Sequence, residues 1–307
     1  MDTLLIAGID TVAGSNIANA LSNSYNVIGL SFTTPVSFAG SETELCPGDS
    51  EAEISACLQN INPNWILYCG PAACSSWEVE PAQLRNPALV EDAKLWAAAA
   101  KKAGCRFTAI SSDAIFTGPW MFHTEESRCY CSSPEAQNLL KMEKAISTAC
   151  PNATIVRTHV FGWTPEKMNS QSIDQVLQKL EAGEEFPGTS YSSPILGAQL
   201  ADILVKLEER KLNGTFHIGS AERCNPQQFA AHVALEFGLT APGAESLGAI
   251  STRPAGFGQG ETSLQCTKLR KVLGIGLPLV SDGIRLLAIE REKQAATYPG
   301  FYSAKAA

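Results

Sequence analysis

The chain has no apolar run long enough to span a bilayer. Met1 and Asp2 lead straight into an apolar stretch, with no basic segment and signal-like run before it, so the cytoplasm is the expected compartment. Positive charge is not in excess: 23 basic residues face 31 acidic ones, a net charge of -8, which argues against nucleic acid or an anionic membrane as partner. No internal repeat or low-complexity linker interrupts the 307 residues. Ten cysteines are present, yet no C-x-x-C pair is among them. Cys129, Cys131 and His123 lack the usual ligand spacings for zinc, so no metal is expected. Cys69 and Cys105 lie in or beside strand-like runs, where cysteine acts as a small apolar residue. With 45 % hydrophobic and 18 % charged residues, the chain has the composition of a globular protein large enough for a sizeable core.

What is present begins at Thr3. Leu4 to Ala7 form a short apolar run, as expected of a buried parallel strand. Gly8 and Gly14 bracket a tight connection, and Ile17, Ala18 and Leu21 then repeat at helical spacing. Strand, glycine turn and helix make the layout of a dinucleotide-binding unit, in which the free N–H groups at the helix start receive a pyrophosphate. The pattern reads G-x-x-T-x-x-G, with Thr11 where a middle glycine would let a phosphate approach the backbone. Thr11 and Val12 line this turn, so the pocket is tighter or the cofactor sits differently. The same pattern also serves a βα turn that binds nothing. A second strand, Asn26 to Leu30, ends in Ser31, Phe32, Thr33 and Thr34. An acid there would favour NAD and a base NADP; neither is present, so the cofactor is NADP or NAD.

Further on, Ser50 to Asn60 reads as a helix and Trp65 to Cys69 as a strand ending at Gly70. Pro81 to Gly104 reads as one long helix closed by its glycine. Arg106 to Ile110 is a strand that delivers Ser111, Ser112 and Asp113 at its C-terminal end, where open α/β sheets bind ligands. A helix over Pro134 to Ala149 and a strand over Thr154 to Val160 follow. This alternation predicts an α/β fold, a Rossmann-type doubly wound parallel sheet with a smaller C-terminal substrate lobe. Residues 1–160 form the dinucleotide-binding domain. From Phe161 the alternation is less regular: helices over Ser170–Gly183, Gln199–Glu209 and Asn225–Gly238 surround a strand at Thr215–Ile218. Residues 161–307 form the mixed lobe, partly returning to the main sheet.

Five segments fall in one order: the turn at Gly8, ISSDAIFTG at Ile110–Gly118, IVRTHVFG at Ile155–Gly162, SSPILGAQLADIL at Ser192–Leu204, and TRPAGF at Thr252–Phe257 followed by TKLRKVLGIGLP. Together they resemble the dTDP-4-dehydrorhamnose reductase family of extended short-chain dehydrogenases/reductases, over nearly the whole chain. The regulatory beta subunit of methionine adenosyltransferase shares that architecture. The resemblance implies an oxidoreductase of dTDP-rhamnose biosynthesis that reduces a 4-keto nucleotide sugar with NAD(P)H, a nucleotide-sugar-like small molecule as partner, and leaves a homodimer open. It implies a hydroxyl that polarises the ketone, a tyrosine that donates the proton, and a lysine that holds the nicotinamide ribose.

Ser112 matches the hydroxyl, with a turn-capping serine as the plainer reading. Lys141 matches the lysine, and one turn earlier, where the tyrosine belongs, stands Gln137. Shifting by one residue pairs Asn138 with Met142 and restores no tyrosine; Tyr130 precedes the helix and lacks the spacing. An amide releases no proton near neutral pH, so the acid step has no obvious agent. The expectation is weak or altered catalysis, or a non-catalytic nucleotide-binding subunit. Cys69 and Gly70 belong to the cofactor side. The stretch Cys69 to Trp77 is apolar or small, which suits a remodelled pocket, and Trp77 either stacks on a ring or packs under its loop. Ser193 and Arg253 are the other substrate candidates, in loops expected to face the crevice; for Arg253 and for Arg157 a structural salt bridge is the competing role. His159 and His217 sit in strands and read as satisfied core histidines.

Overall fold

A computed structural model describes residues 1–48, 50–77, 82–129, 131–165, 173–186, 188–241 and 258–297. Its centre is a sheet of seven parallel strands: β1 (Thr3–Ala7), β2 (Asn26–Ser31), β3 (Glu44–Leu45), β4 (Trp65–Tyr68), β5 (Arg106–Ser112), β6 (Thr154–Thr158) and β7 (Gly214–Ile218). They lie side by side in the order β7-β6-β5-β4-β1-β2-β3. The winding therefore reverses at β1, where β2 lies on one side and β4 on the other, and a crevice opens beyond the C-terminal ends at that point. Leu4 to Ala7 and Trp65 to Tyr68 are buried on both faces, which is why these strands are continuous apolar runs rather than alternating ones.

Nine helices among the described residues complete the fold: α1 (Val12–Leu21), α2 (Glu51–Ile61), α3 (Ala88–Ala103), α4 (Pro134–Ala149), α5 (Ile173–Glu181), α6 (Gly197–Glu209), α7 (Pro226–Glu236), α8 (Thr267–Leu273) and α9 (Val280–Thr297). Their boundaries follow capping chemistry. Ser50 accepts the Glu53 N–H at the start of α2, and Ser133 accepts the Ala136 N–H at the start of α4, with Pro134 in the first turn. Gly104 closes α3 in the left-handed conformation at φ +74°.

The long helix expected over Pro81–Gly104 is in fact two pieces. A 3₁₀ turn covers Ala82–Arg85, and α3 starts only at Ala88. Pro87 has no N–H to donate and restricts Asn86 before it, and the Asn86 side chain instead takes the Ala88 N–H at 3.0 Å. The strand expected over Thr154–Val160 likewise stops at Thr158; Val160 and Phe161 pair with Ile195 and Leu196 in a separate two-stranded ladder. β7 joins the sheet beside β6, placing His217 opposite Arg157. A second apolar cluster lies apart from the main core, built from Phe161, Ile173, Leu177, Phe186, Phe229, Val233, Ile284 and Leu287. Among the described residues no helix is long and apolar enough to cross a membrane.

Candidate functional site

The turn after β1 is held by two glycines that nothing else can replace without movement. Gly8 has φ +96°, and a Cβ there would stand 2.0 Å from the Cys69 carbonyl oxygen. A Cβ on Gly14 would stand 2.1 Å from the Gly8 carbonyl oxygen. Thr11 folds back into this turn: its hydroxyl donates to the Gly8 carbonyl at 2.8 Å and accepts the Gly14 N–H at 3.0 Å. It is thus the N-cap of α1, and Val12 and Ala13 supply first-turn N–H groups that have no acceptor within the helix. Cys69 is fully buried, its N–H donates to Ala7, and burial pushes its thiol far above the ordinary value. At Gly70 a Cβ would meet the Tyr68 ring at 2.7 Å, so the chain passes close over β4.

The same turn carries an acid that reading along the chain overlooked. Asp10 is 2 % exposed. Its Oδ1 accepts the Phe32 N–H at 2.9 Å; its Oδ2 accepts the Thr33 N–H at 2.8 Å, the Thr33 hydroxyl at 2.9 Å and the Thr34 N–H at 3.3 Å. The position at the end of β2 where an acid was sought is therefore filled from the glycine turn. The available signal was the pairing of an acid just after Gly8 with donors in Phe32-Thr33-Thr34.

Across the crest of the sheet, Asp113 is fully buried and gathers four segments. It accepts the Ser76 N–H at 2.9 Å and the hydroxyls of Ser76 at 2.7 Å, Ser192 at 2.5 Å and Thr262 at 2.9 Å. His159 Nδ1 lies 3.3 Å from the same carboxylate. Burial alone would raise this carboxyl; the adjacent His159 and the hydroxyl donors outweigh it and hold the group below its ordinary value. Ser112, also fully buried, accepts the Ala114 N–H at 3.1 Å and so caps the 3₁₀ turn over Asp113–Ile115. Trp77 is half-buried, edge-on to His159 at 4.4 Å and to Phe229 at 5.6 Å between ring centres. Its indole N–H is buried with no hydrogen-bond partner among the described residues.

Other expected positions fall elsewhere. Ser193 is buried, with its hydroxyl 3.4 Å from the Leu264 N–H. Gln137 and Lys141 share an exposed face of α4, and the Gln137 amide donates to the Cys131 carbonyl at 3.0 Å. The opposite face of α4 is buried and carries Glu143, which binds Arg157 through two nitrogens, at 3.1 Å and 2.7 Å, and accepts the Ser111 hydroxyl at 2.7 Å. Arg157 is thus a paired interior residue. His217 Nδ1 donates to the His123 carbonyl at 2.9 Å, and burial with Arg157 nearby drives its pKa down to about 3. Among the described residues no three His, Cys, Asp or Glu side chains are grouped to hold a metal. Arg253, with its loop Thr252–Phe257, and Tyr130 lie outside the described residues.

Sheet order, winding reversal at β1 and the glycine turn define a Rossmann-type α/β protein. A family model described as the RmlD substrate binding domain matches residues 1–288, and the chain belongs to that family. Among solved structures it is similar to a dTDP-4-dehydrorhamnose reductase from Bacillus anthracis str. Ames in complex with NADP: TM-score 0.75, 17 % identity, covering 94 % of this chain and 99 % of that one. It is also similar to the Bordetella bronchiseptica enzyme WbmH in complex with NAD+, with TM-score 0.71 and 17 % identity over 95 % of this chain and 99 % of that one. A curated relative is methionine adenosyltransferase 2 subunit beta of Danio rerio, 22 % identical over 250 residues, 74 % of this chain and 72 % of that one.

Proposed function

We propose that the protein binds a nicotinamide dinucleotide at the glycine turn and a nucleotide sugar in the adjoining crevice, as a sugar-nucleotide reductase-like protein with weak or altered catalysis. The observation that carries this reading is the tight turn at Gly8 and Gly14, where the backbone packs too closely for any side chain, leading into the N-terminus of α1 beside the point where the winding reverses. When bound, such a cofactor supplies hydride to a carbonyl. The chain's own part is to hold the pyrophosphate at Gly8, Thr11, Val12 and Gly14, with Cys69 and Gly70 closing the floor. Trp77 and Ser193 belong to the substrate side, together with Arg253. The acid step is the weak point, because Gln137 stands where a phenol is needed. Ten cysteines without a disulfide suit a reducing compartment such as the cytoplasm.

A second reading is a non-catalytic subunit like the zebrafish relative. It is favoured by one observation: Gln137 and Lys141 lie on the exposed face of α4, and neither bonds to Ser112. Isothermal calorimetry with NADH and NADPH tests the binding reading; binding of at least one is expected, and binding of neither removes it. NAD(P)H oxidation with a dTDP-4-keto sugar separates the two readings. Slow turnover that Gln137→Tyr raises supports the reductase. Zero turnover in both proteins, with cofactor binding intact, supports the subunit.

A further inference from the structure

Asp10 settles a question that the end of β2 leaves open. Three consecutive backbone N–H groups, those of Phe32, Thr33 and Thr34, converge there with the Thr33 hydroxyl. Successive N–H groups of this kind form a nest suited to an anion. In this chain the anion is already built in: the Asp10 carboxylate takes all four donors and is 2 % exposed. In a Rossmann unit this is the place that reads the adenosine ribose. A 2′-phosphate arriving there would find the donors spent and a fixed negative charge among them.

Among the described residues no lysine, arginine or histidine forms an ion pair with that charge. Residues 1–84, which supply β1 to β4, contain no lysine or arginine, against nine aspartates and glutamates. Among the described ion pairs one cation reaches into this stretch, Lys102, and it lies 3.8 Å from Glu51. A 2′-hydroxyl, by contrast, needs only an acceptor. Oδ1 of Asp10 takes one donor while Oδ2 takes three, so Oδ1 keeps an acceptor position for a ribose hydroxyl.

We propose that Asp10 makes the adenosine end selective for an unphosphorylated ribose, so that the protein takes NAD(H) and rejects NADP(H). The proposal rests on the dinucleotide-binding reading above and adds the choice of cofactor to it. Its distinguishing feature is that the selecting acid comes from the glycine turn after β1 rather than from the end of β2.

The test is calorimetry on the full chain with NADH and NADPH, repeated with the fragments 5′-ADP and 2′,5′-ADP, which isolate the adenosine end from the nicotinamide. NADH is expected to bind at least about tenfold tighter than NADPH, and the fragments are expected to keep that order. Asp10→Ser, which removes the charge and frees backbone donors, is expected to narrow the ratio several-fold, with a thermal melt confirming the fold. The wild-type comparison stands even where the variant fails to fold. Equal or tighter binding of NADPH overturns the proposal while leaving the dinucleotide reading in place. An unchanged ratio in folded Asp10→Ser also overturns it. Binding of neither dinucleotide overturns both.

Discussion

Replacing Asp113 by alanine removes the acceptor on which Ser76, Ser192 and Thr262 converge from the loop after β4, the loop before α6 and the segment before α8. Some donors find new partners: the Thr262 hydroxyl already lies 2.9 Å from the Tyr191 carbonyl and 3.1 Å from the Ser76 hydroxyl. The Ser76 N–H and the Ser192 hydroxyl lose their carboxylate in a site that excludes water. An unmet buried donor costs about 1–3 kcal/mol. Two such donors, less the cost of burying the charge itself, give a net loss of about 3 kcal/mol. Asp113→Asn keeps one oxygen and the volume, so a smaller loss is expected. The carboxyl is held below its ordinary value of 3.8 in the folded chain. Its contribution is therefore fully present above that value and is lost as pH falls through the lower folded value. The gap between wild type and Asp113→Asn should close on acidification below about pH 4. Urea unfolding followed by circular dichroism from pH 3 to 7 measures both effects. A loss under about 1 kcal/mol for Asp113→Ala at pH 7, or a gap that does not change with pH, would refute the view of this carboxylate as the clasp of four segments.

Gly14→Ala should abolish dinucleotide binding in calorimetry and lower the melting temperature, because a Cβ there meets backbone at 2.1 Å rather than a movable side chain. Glu143→Ala should destabilise the chain by about 3–5 kcal/mol in chemical unfolding, since Arg157 is left charged and unpaired in the interior. Replacing both Glu143 and Arg157 by apolar residues of similar volume should cost much less than either single change. His217, with its pKa lowered to about 3, should show no imidazole titration by NMR between pH 5 and 8. Its folded pKa lies below the unfolded value of 6.5, so its stabilising share is present above pH 6.5 and fades as pH falls towards about 3.

The elements that follow from short-range rules were open to reading in the chain. Leu4–Ala7 and Trp65–Tyr68 are continuous apolar runs, and burial on both faces of a parallel sheet needs just that composition. Ser50, Ser133 and Gly104 end or begin helices through bonds spanning only a few residues. The glycine turn was equally legible, because what requires Gly14 is the backbone of Gly8, six residues before it. The break at Pro87 obeys the same local sterics, and the alanine- and leucine-rich composition around it concealed a signal that was present. The family, too, came from segments recognisable one by one.

The chemistry of the site depends on encounters between residues far apart in the chain. An acid was sought beside Ser31, where it would have been a neighbour in sequence; the one that fills the place is Asp10, brought there because β1 and β2 pair in parallel and their C-terminal ends open on the same edge. Asp113 meets Ser76, His159, Ser192 and Thr262 for the same reason, as the loops beyond parallel strands all gather at one crest. Local sequence thus determined the strands, the caps and the turn, through sterics and hydrogen bonds that act within a few residues. Which carboxylate lies at the end of β2, and which donors hold Asp113, was decided only when the sheet closed, because a charge in the interior is fixed by whatever donors the fold brings within about 3 Å of it.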